Sequence, residues 1–309
     1  MLCRRPPDPS RVLLGRHTRA TGRCRAFRFS PLRPAVEALH IWYIEYEWGR
    51  AVPVLDLSGE RFRVEFTGPE DGPPLILSHA LGLDLAMWDA VVPLLARRRR
   101  VVRYDARGHG ESAAPDQVYS MGDLGRDVLA IMDRLGLASA DFCGLSLGGM
   151  VGQWLALNAP ARLTRLVLAN TTAHAAPVRF WDQRIRAVRR EGLAPIADAV
   201  VDSWVSPAFR AAAPQRVAMV RAQVAATPPS GYMGTCCAMR DMDFRRDLAR
   251  IRTATLVIVS EQDRSTPPGW GEAIAEAIPG ARLERLAGGH LSALEQPEAF
   301  VRAVDGFLG

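Results

Sequence analysis

The sequence predicts an α/β protein: a mostly parallel, doubly wound sheet interrupted by one large helical insertion. Three observations carry that expectation. From residue 51 onward, short apolar runs of strand length alternate with stretches of helical period, the pattern of βαβ units on a parallel sheet. The alternation breaks once, from Thr171 to about Arg250, where the period is helical and prolines at 177, 195, 207, 214, 228 and 229 cut it into short helices. It then resumes to the end of the chain. A strandless insertion of this size reads as a lid over a site.

The elements follow in order. Val52–Leu57 and Arg61–Phe66 alternate apolar and polar residues around Ser58-Gly59, which predicts a hairpin. The turn-rich GPEDGPP leads into the short buried strand LILS at 75–78, and DLAMWDAVVPLLARR has a helical pattern. Strand RVVRY (100–104), a helix over Gly122–Leu135 and the apolar strand ADFCG (140–144) come next. Ser146 then opens the helix LGGMVGQWLALNA, which stops before Pro160, and RLVLAN (165–170) is another strand. Beyond the insertion lie strand TLVIVS (255–260), a helix from about Pro268 to Ala277, strand RLERL (282–286) and a last helix in QPEAFVRAVDGFL.

Composition narrows the function classes. The chain has 309 residues, 48% of them hydrophobic and 23% charged, ordinary for a soluble globular protein. No apolar run nears the roughly 18 residues of a membrane span. The net charge of +6 comes entirely from the first fifty residues, where ten arginines face four acidic residues. The remainder balances, so no nucleic-acid footprint is expected. All the basic residues are arginine, which we read as the coding bias of a GC-rich genome. Cys3, Cys24, Cys143, Cys236 and Cys237 show neither metal-ligand spacing nor a paired framework, so reduced thiols in the cytoplasm and no metal are expected. Residues 1–50 form an Arg/Pro-rich leader, read either as an over-extended start or as a disordered, transit-peptide-like segment. Residues 51–309 are expected to form one domain, its helical lid at about 171–250.

The chemistry centres on Gly144-Leu145-Ser146-Leu147-Gly148, a G-x-S-x-G motif between a strand and a helix. A serine there sits on a strained turn, with its hydroxyl exposed at the carboxyl end of the sheet, and the glycines remove side chains that would collide. The alternative is a helix N-cap serine; the strand before it and the helix after it favour a nucleophile. The positive end of the helix and the amide of Leu147 face the same spot. A serine needs a base, and the base an orienting carboxylate. Among the six histidines, His17 and His40 lie in the leader, His79 and His109 follow early strands, and His174 begins the insertion. His290 lies after the last strand, where Gly288-Gly289 let its loop bend over the serine. Asp263, after the penultimate strand, is the expected carboxylate, with Glu261 as its competitor. The second oxyanion donor is expected in SHALG, at the Leu81 amide. Asp105, Arg107 and His109 are expected to shape a loop and carry no proton.

With these motifs, the chain from Val54 to its end resembles the 3-oxoadipate enol-lactonases, serine hydrolases of the α/β-hydrolase superfamily. The similarity runs through VLDLSGERFRVEF, LGLDLAMWD, RYDARGHGESAAP, FCGLSLGGMVGQWLALNAP, RLVLANT, YMGTCCAMRDMDFRRDLARI, EQDRSTPP and EQPEAF. It covers roughly five-sixths of the chain, and the insertion weighs most, because the core motifs belong to the whole superfamily. Departures are Ser260 where relatives often have Gly, and His79-Ala80 where many have His-Gly. The resemblance implies the α/β-hydrolase fold, with the Ser146, Asp263, His290 order of that superfamily. It further implies cofactor-free opening of a five-membered enol lactone to 3-oxoadipate in bacterial aromatic degradation. An anionic substrate calls for a local arginine: Arg240, Arg179 and Arg184 are candidates, and Trp154 and Trp181 are candidates for the pocket wall. Rival expectations on the same scaffold are a carboxylesterase, another lactonase such as an acyl-homoserine lactonase, a perhydrolase, or a non-catalytic ligand binder. The oligomeric state is left open.

Overall fold

The computed structural model describes residues 41–45, 51–57, 59–175 and 177–309. Nine strands among them form one sheet: β1 (Ile41–Glu45), β2 (Ala51–Leu57), β3 (Glu60–Thr67), β4 (Pro74–Ser78), β5 (Arg100–Tyr104), β6 (Ala140–Leu145), β7 (Leu163–Ala169), β8 (Thr255–Ser260) and β9 (Arg282–Leu286). Their spatial order is β1-β2-β3-β5-β4-β6-β7-β8-β9. The first three strands pair antiparallel and β3 runs antiparallel to β5, whereas every pairing from β5 to β9 is parallel. The predicted α/β-hydrolase architecture is thus the observed one.

Two differences from the sequence reading stand out. Strand β1 pairs with β2, Ile41 opposite Leu55, so part of the segment read as leader belongs to the sheet; the rest of that reading lies outside the described residues. The single helix expected in DLAMWDAVVPLLARR is instead a 3-10 turn, Leu85–Trp88, followed by the short α1 (Val92–Leu95). Pro93 explains the break, because it lacks the N–H that would continue the helix and is tolerated only in a first turn. The other core helices lie close to expectation: α2 (Met121–Arg134), capped by Ser120 and Asp123 acting reciprocally, and α3 (Leu147–Asn158).

In the central strands neighbouring residues face opposite ways. Phe142, Leu166, Leu168 and Val257 pack with α2 and α3 on one side of the sheet. Cys143, Leu145, Val167, Ala169, Leu256 and Ile258 pack on the other with Trp88 and Phe300. Every residue of β6 and β8 is buried, as a parallel sheet covered on both faces requires. Cys143, Cys236 and Cys237 are free and buried.

Between β7 and β8 stand α4 (Val178–Glu191), α5 (Ala194–Trp204), α6 (Pro207–Ala212), α7 (Pro214–Ala226) and α8 (Pro229–Asp241). Proline opens the first turn of the last four, where its missing N–H costs nothing. α4 and α8 share apolar packing with the α2/α3 side, and α5 and α7 share it with the α1 side. The chain closes with α9 (Pro268–Ala277), α10 (Ser292–Glu295) and α11 (Pro297–Leu308). Among the described residues no helix is long and apolar enough to cross a membrane.

Candidate active site

Parallel strands deliver their carboxyl ends to one edge of the sheet. Ser146 follows β6, Asn170 follows β7, Asp263 lies three residues beyond β8, and His290 four beyond β9. Four chain segments far apart in sequence therefore converge.

Ser146 is held at φ 57°, ψ −114°, a conformation that costs a non-glycine residue about 1–3 kcal/mol. Its surroundings enforce the turn. The Ser146 N–H donates to the Ala169 carbonyl at 2.9 Å, and Thr171 Oγ1 donates to the Ser146 carbonyl at 2.7 Å. A Cβ on Gly144 would sit 2.1 Å from the Gly148 carbonyl oxygen, and one on Gly148 would sit 2.0 Å from that of Ser78. Both glycines are thus demanded by backbone contact. Ser146 lines a cavity of about 360 Å³ with Leu81, Met150, Phe180, Trp181, Arg184, Trp204, Met239, Arg264 and Trp270 among its walls.

Asp263 and His290 meet as expected: His290 Nδ1 donates to Asp263 Oδ2 at 2.9 Å, and both side chains are buried. His290 Nε2 has no hydrogen-bond partner, so the nitrogen that would serve Ser146 is unengaged. The carboxylate collects four further donors. Ser265 N and Thr266 N reach Oδ1 at 2.8 Å each, while Thr266 Oγ1 at 2.7 Å and Asn170 Nδ2 at 3.0 Å reach Oδ2. Burial alone would raise the Asp263 carboxyl, but the charge of His290 and the hydrogen bonds from His290 and Thr266 outweigh it and hold the group below the usual carboxylate range. Glu261, the competitor, is exposed and does not join the pair.

The His290 loop is fastened to the helical segment. The His290 N–H donates to the Trp204 carbonyl at 2.7 Å. Glu295 accepts from Ser206 N, Ser206 Oγ and Gly289 N at 3.0, 2.6 and 3.1 Å. A Cβ on Gly289 would collide with the Trp204 carbonyl oxygen at 2.5 Å, which explains that glycine. The start of α8 lies directly on the loop after β5, where a Cβ on Gly231 would be 2.2 Å from Gly108 Cα.

The Leu81 and Leu147 amides, the expected oxyanion donors, donate to no group among the described residues. The Leu81 loop is fixed by His79, whose Nδ1–H donates to the Ala80 carbonyl at 2.8 Å and whose Nε2 accepts from Ala106 N at 2.9 Å. Burial pushes His79 down to about 4, and burial with the neighbouring His79 pushes His109 down to about 3, so both are neutral at pH 7. Asp105 accepts from Leu85 N and Glu111 N and Arg107 binds Asp127, which makes these loop-shaping groups.

Two expected substrate contacts are corrected. Trp154 packs on α2, where a Cβ at Gly125 would strike its ring at 1.9 Å, and it does not line the cavity. Arg240 points elsewhere too, paired with Asp182 at 3.1 Å and Asp241 at 2.7 Å. Trp181 does line the cavity, as does Arg184, which donates to Tyr232 Oη at 3.2 Å and lies over the Phe180 ring at 4.8 Å. Arg264, which donates to the Asp202 carbonyl, went unnoticed in the sequence although it adjoins Asp263. Asn170, Thr266 and Glu295 also escaped notice. The signal for Asn170 was a polar residue ending an apolar strand, of a type that tolerates positive φ.

The chain is similar to known proteins of one fold family. Residues 73–194 match the family model described as alpha/beta hydrolase fold. A 3-oxoadipate enol-lactonase of Acinetobacter baylyi is 38% identical over 78% of this chain and 90% of its own length. A putative carbamate hydrolase RutD of Variovorax paradoxus is 34% identical over 79% of this chain and 94% of its own. The crystal structure of the enol-lactonase from Burkholderia xenovorans superposes with a TM-score of 0.81 at 37% identity, covering 83% of this chain and 99% of that one.

Proposed function

Because the chain belongs to the 3-oxoadipate enol-lactonase family of α/β-hydrolases, we propose that it opens 3-oxoadipate enol-lactone to 3-oxoadipate, as a step of bacterial aromatic degradation. The reaction would run through an acyl-enzyme on Ser146. The observation that carries this reading is the cavity wall: Arg184 and Arg264 both line the Ser146 cavity, and neither has a carboxylate partner among the described residues. Two cations without counter-ions in a small, mostly apolar chamber suit a small ester that carries its own carboxylate.

Each step is assigned to a named group. His290 Nε2 takes the Ser146 proton as Oγ attacks the lactone carbonyl, and Asp263 stabilises the imidazolium that forms. The Leu81 and Leu147 amides receive the oxyanion, each such donor being worth about 2.7–4 kcal/mol in the transition state. Collapse expels the ring oxygen as an enol, which takes the proton from His290 and ketonises, drawing the step forward. Water, deprotonated by His290, then attacks the acyl-enzyme and frees Ser146.

The carbamate hydrolase relative, at 34% identity, supports a second reading in which the same groups cleave a carbamate. A substrate panel separates the two. Purified enzyme is given the enol-lactone, generated enzymatically from muconolactone, a neutral aryl ester and a small carbamate. We expect kcat/KM for the lactone to exceed the others by about 100-fold or more, a difference of about 2.7 kcal/mol. Faster turnover of the carbamate or of the neutral ester would overturn the assignment.

A further inference from the structure

Asn170 stands at the end of β7 with φ 45°, one of only two non-glycine residues at positive φ among the described residues; the other is Ser146. It is fully buried, and both ends of its amide are engaged. Nδ2 donates to Asp263 Oδ2 at 3.0 Å and to Ser260 Oγ at 2.9 Å, while Oδ1 accepts from Ser292 Oγ at 2.6 Å. The reverse orientation of the amide would turn Oδ1 toward the Asp263 carboxylate, so the anion dictates which end faces it.

The bonds close a ring. Ser292 lies two residues beyond His290, Ser292 binds Asn170, Asn170 binds Asp263, and Asp263 binds His290. Ser265 and Thr266 hold the same carboxylate from its own loop. Asn170, at the end of β7, supplies the donor to Oδ2 that comes from a different strand.

We infer that Asn170 is a positioning residue for the Asp263–His290 pair: its buried amide fixes the rotation of the Asp263 carboxylate and shares its charge, and Ser292 holds that amide in register with the His290 loop. The inference rests on the reading of Ser146, Asp263 and His290 as the reacting groups. Its consequence is electrostatic as well as geometric. Without the Nδ2 donor, the Asp263 charge is less dispersed and pulls harder on the imidazolium. The acid limb of kcat/KM is therefore expected to move upward. The other charged groups near the pair are Arg264, engaged with the Asp202 carbonyl, and Glu295, engaged with Ser206 and Gly289.

Asn170→Gly tests this, because glycine accepts φ 45° without strain and removes only the amide. The expected result is kcat lower by about 10- to 100-fold, the range for one lost hydrogen bond to a charged group. KM should be little changed, the acid limb should shift to higher pH, and the far-downfield proton NMR signal of His290 Nδ1–H should broaden or change position. Ser292→Ala, which leaves the amide present but loose, should move the limb the same way by less, and it serves in full if the glycine variant does not fold. An acid limb and a downfield signal unmoved in the variants that fold would overturn the inference. Ser146→Ala separates it from the reading beneath: that variant should lose turnover yet keep the downfield signal, and if it stays active the nucleophile assignment fails while the NMR arm still tests Asn170.

Discussion

The carboxyl edge of the sheet and the helical segment above it are built on different rules. At the sheet edge, backbone contacts leave no latitude: Gly144 and Gly148 face carbonyl oxygens at distances no Cβ could occupy, and Asp263 has five hydrogen-bond donors. In the helical segment, prolines set where helices begin, while the residues that wall the cavity are long side chains such as Arg184 and Trp181. The difference teaches that the Ser146 turn is fixed by main-chain contacts and the Asp263–His290 pair by a dense hydrogen-bond network, whereas the cavity wall is made of side chains that can be exchanged.

The sharpest way to break this contrast is Ser146→Ala, which should lower kcat by about 10⁴-fold or more while leaving the fold intact; steady-state assay with circular dichroism checks both halves. Gly144→Ala should come next, destabilising by about 3 kcal/mol because the methyl meets backbone that cannot yield, as chemical denaturation would report. His109→Asn probes the sheet edge through pH. Folded His109 lies at about 3 against 6.5 unfolded, so the unfolded chain binds the extra proton in that window. Its contribution to stability is complete above pH 6.5 and lost as pH falls toward 3. Replacing it should flatten the stability-versus-pH slope by about 1.4 kcal/mol per pH unit near pH 5. On the helical side, Arg184→Met should raise KM for an anionic lactone about tenfold, equal to about 1.4 kcal/mol, with a neutral aryl ester unaffected. Arg240→Gln should do least, changing kcat/KM by less than about twofold, since its partners are surface carboxylates outside the cavity.

The same contrast explains what could be read in advance. Ser146 and Asp263 were legible as candidates because each follows an apolar run at a strand end, and His290 because it follows the last strand, RLERL, through a Gly-Gly bend; strand ends in a parallel sheet must meet. Trp181 and Arg184 were legible as candidates, but Trp154 and Arg240 were no less so. What separates them is the rotation of each helix about its axis: Phe180, Trp181 and Arg184 share one face of α4, whereas Trp154 is claimed by Gly125 and Arg240 by Asp182. Asn170 and Glu295 were hidden for another reason. Their partners lie 93 and 89 residues away, and no local pattern announces a polar side chain whose acceptor or donor arrives from another strand or helix.

Glu295 and the Trp204 carbonyl join the His290 loop to the α5–α6 corner, and Gly108 against Gly231 seats α8 on the core. Between these two anchored flanks, α4 is held by side chains alone, through Arg240 to Asp182 and Arg184 to Tyr232. One wall of the chamber is therefore a replaceable part. Substitutions along the fourteen residues of α4 can reshape that wall while leaving untouched the Ser146 turn and the Asp263–His290 pair, none of which lies on α4.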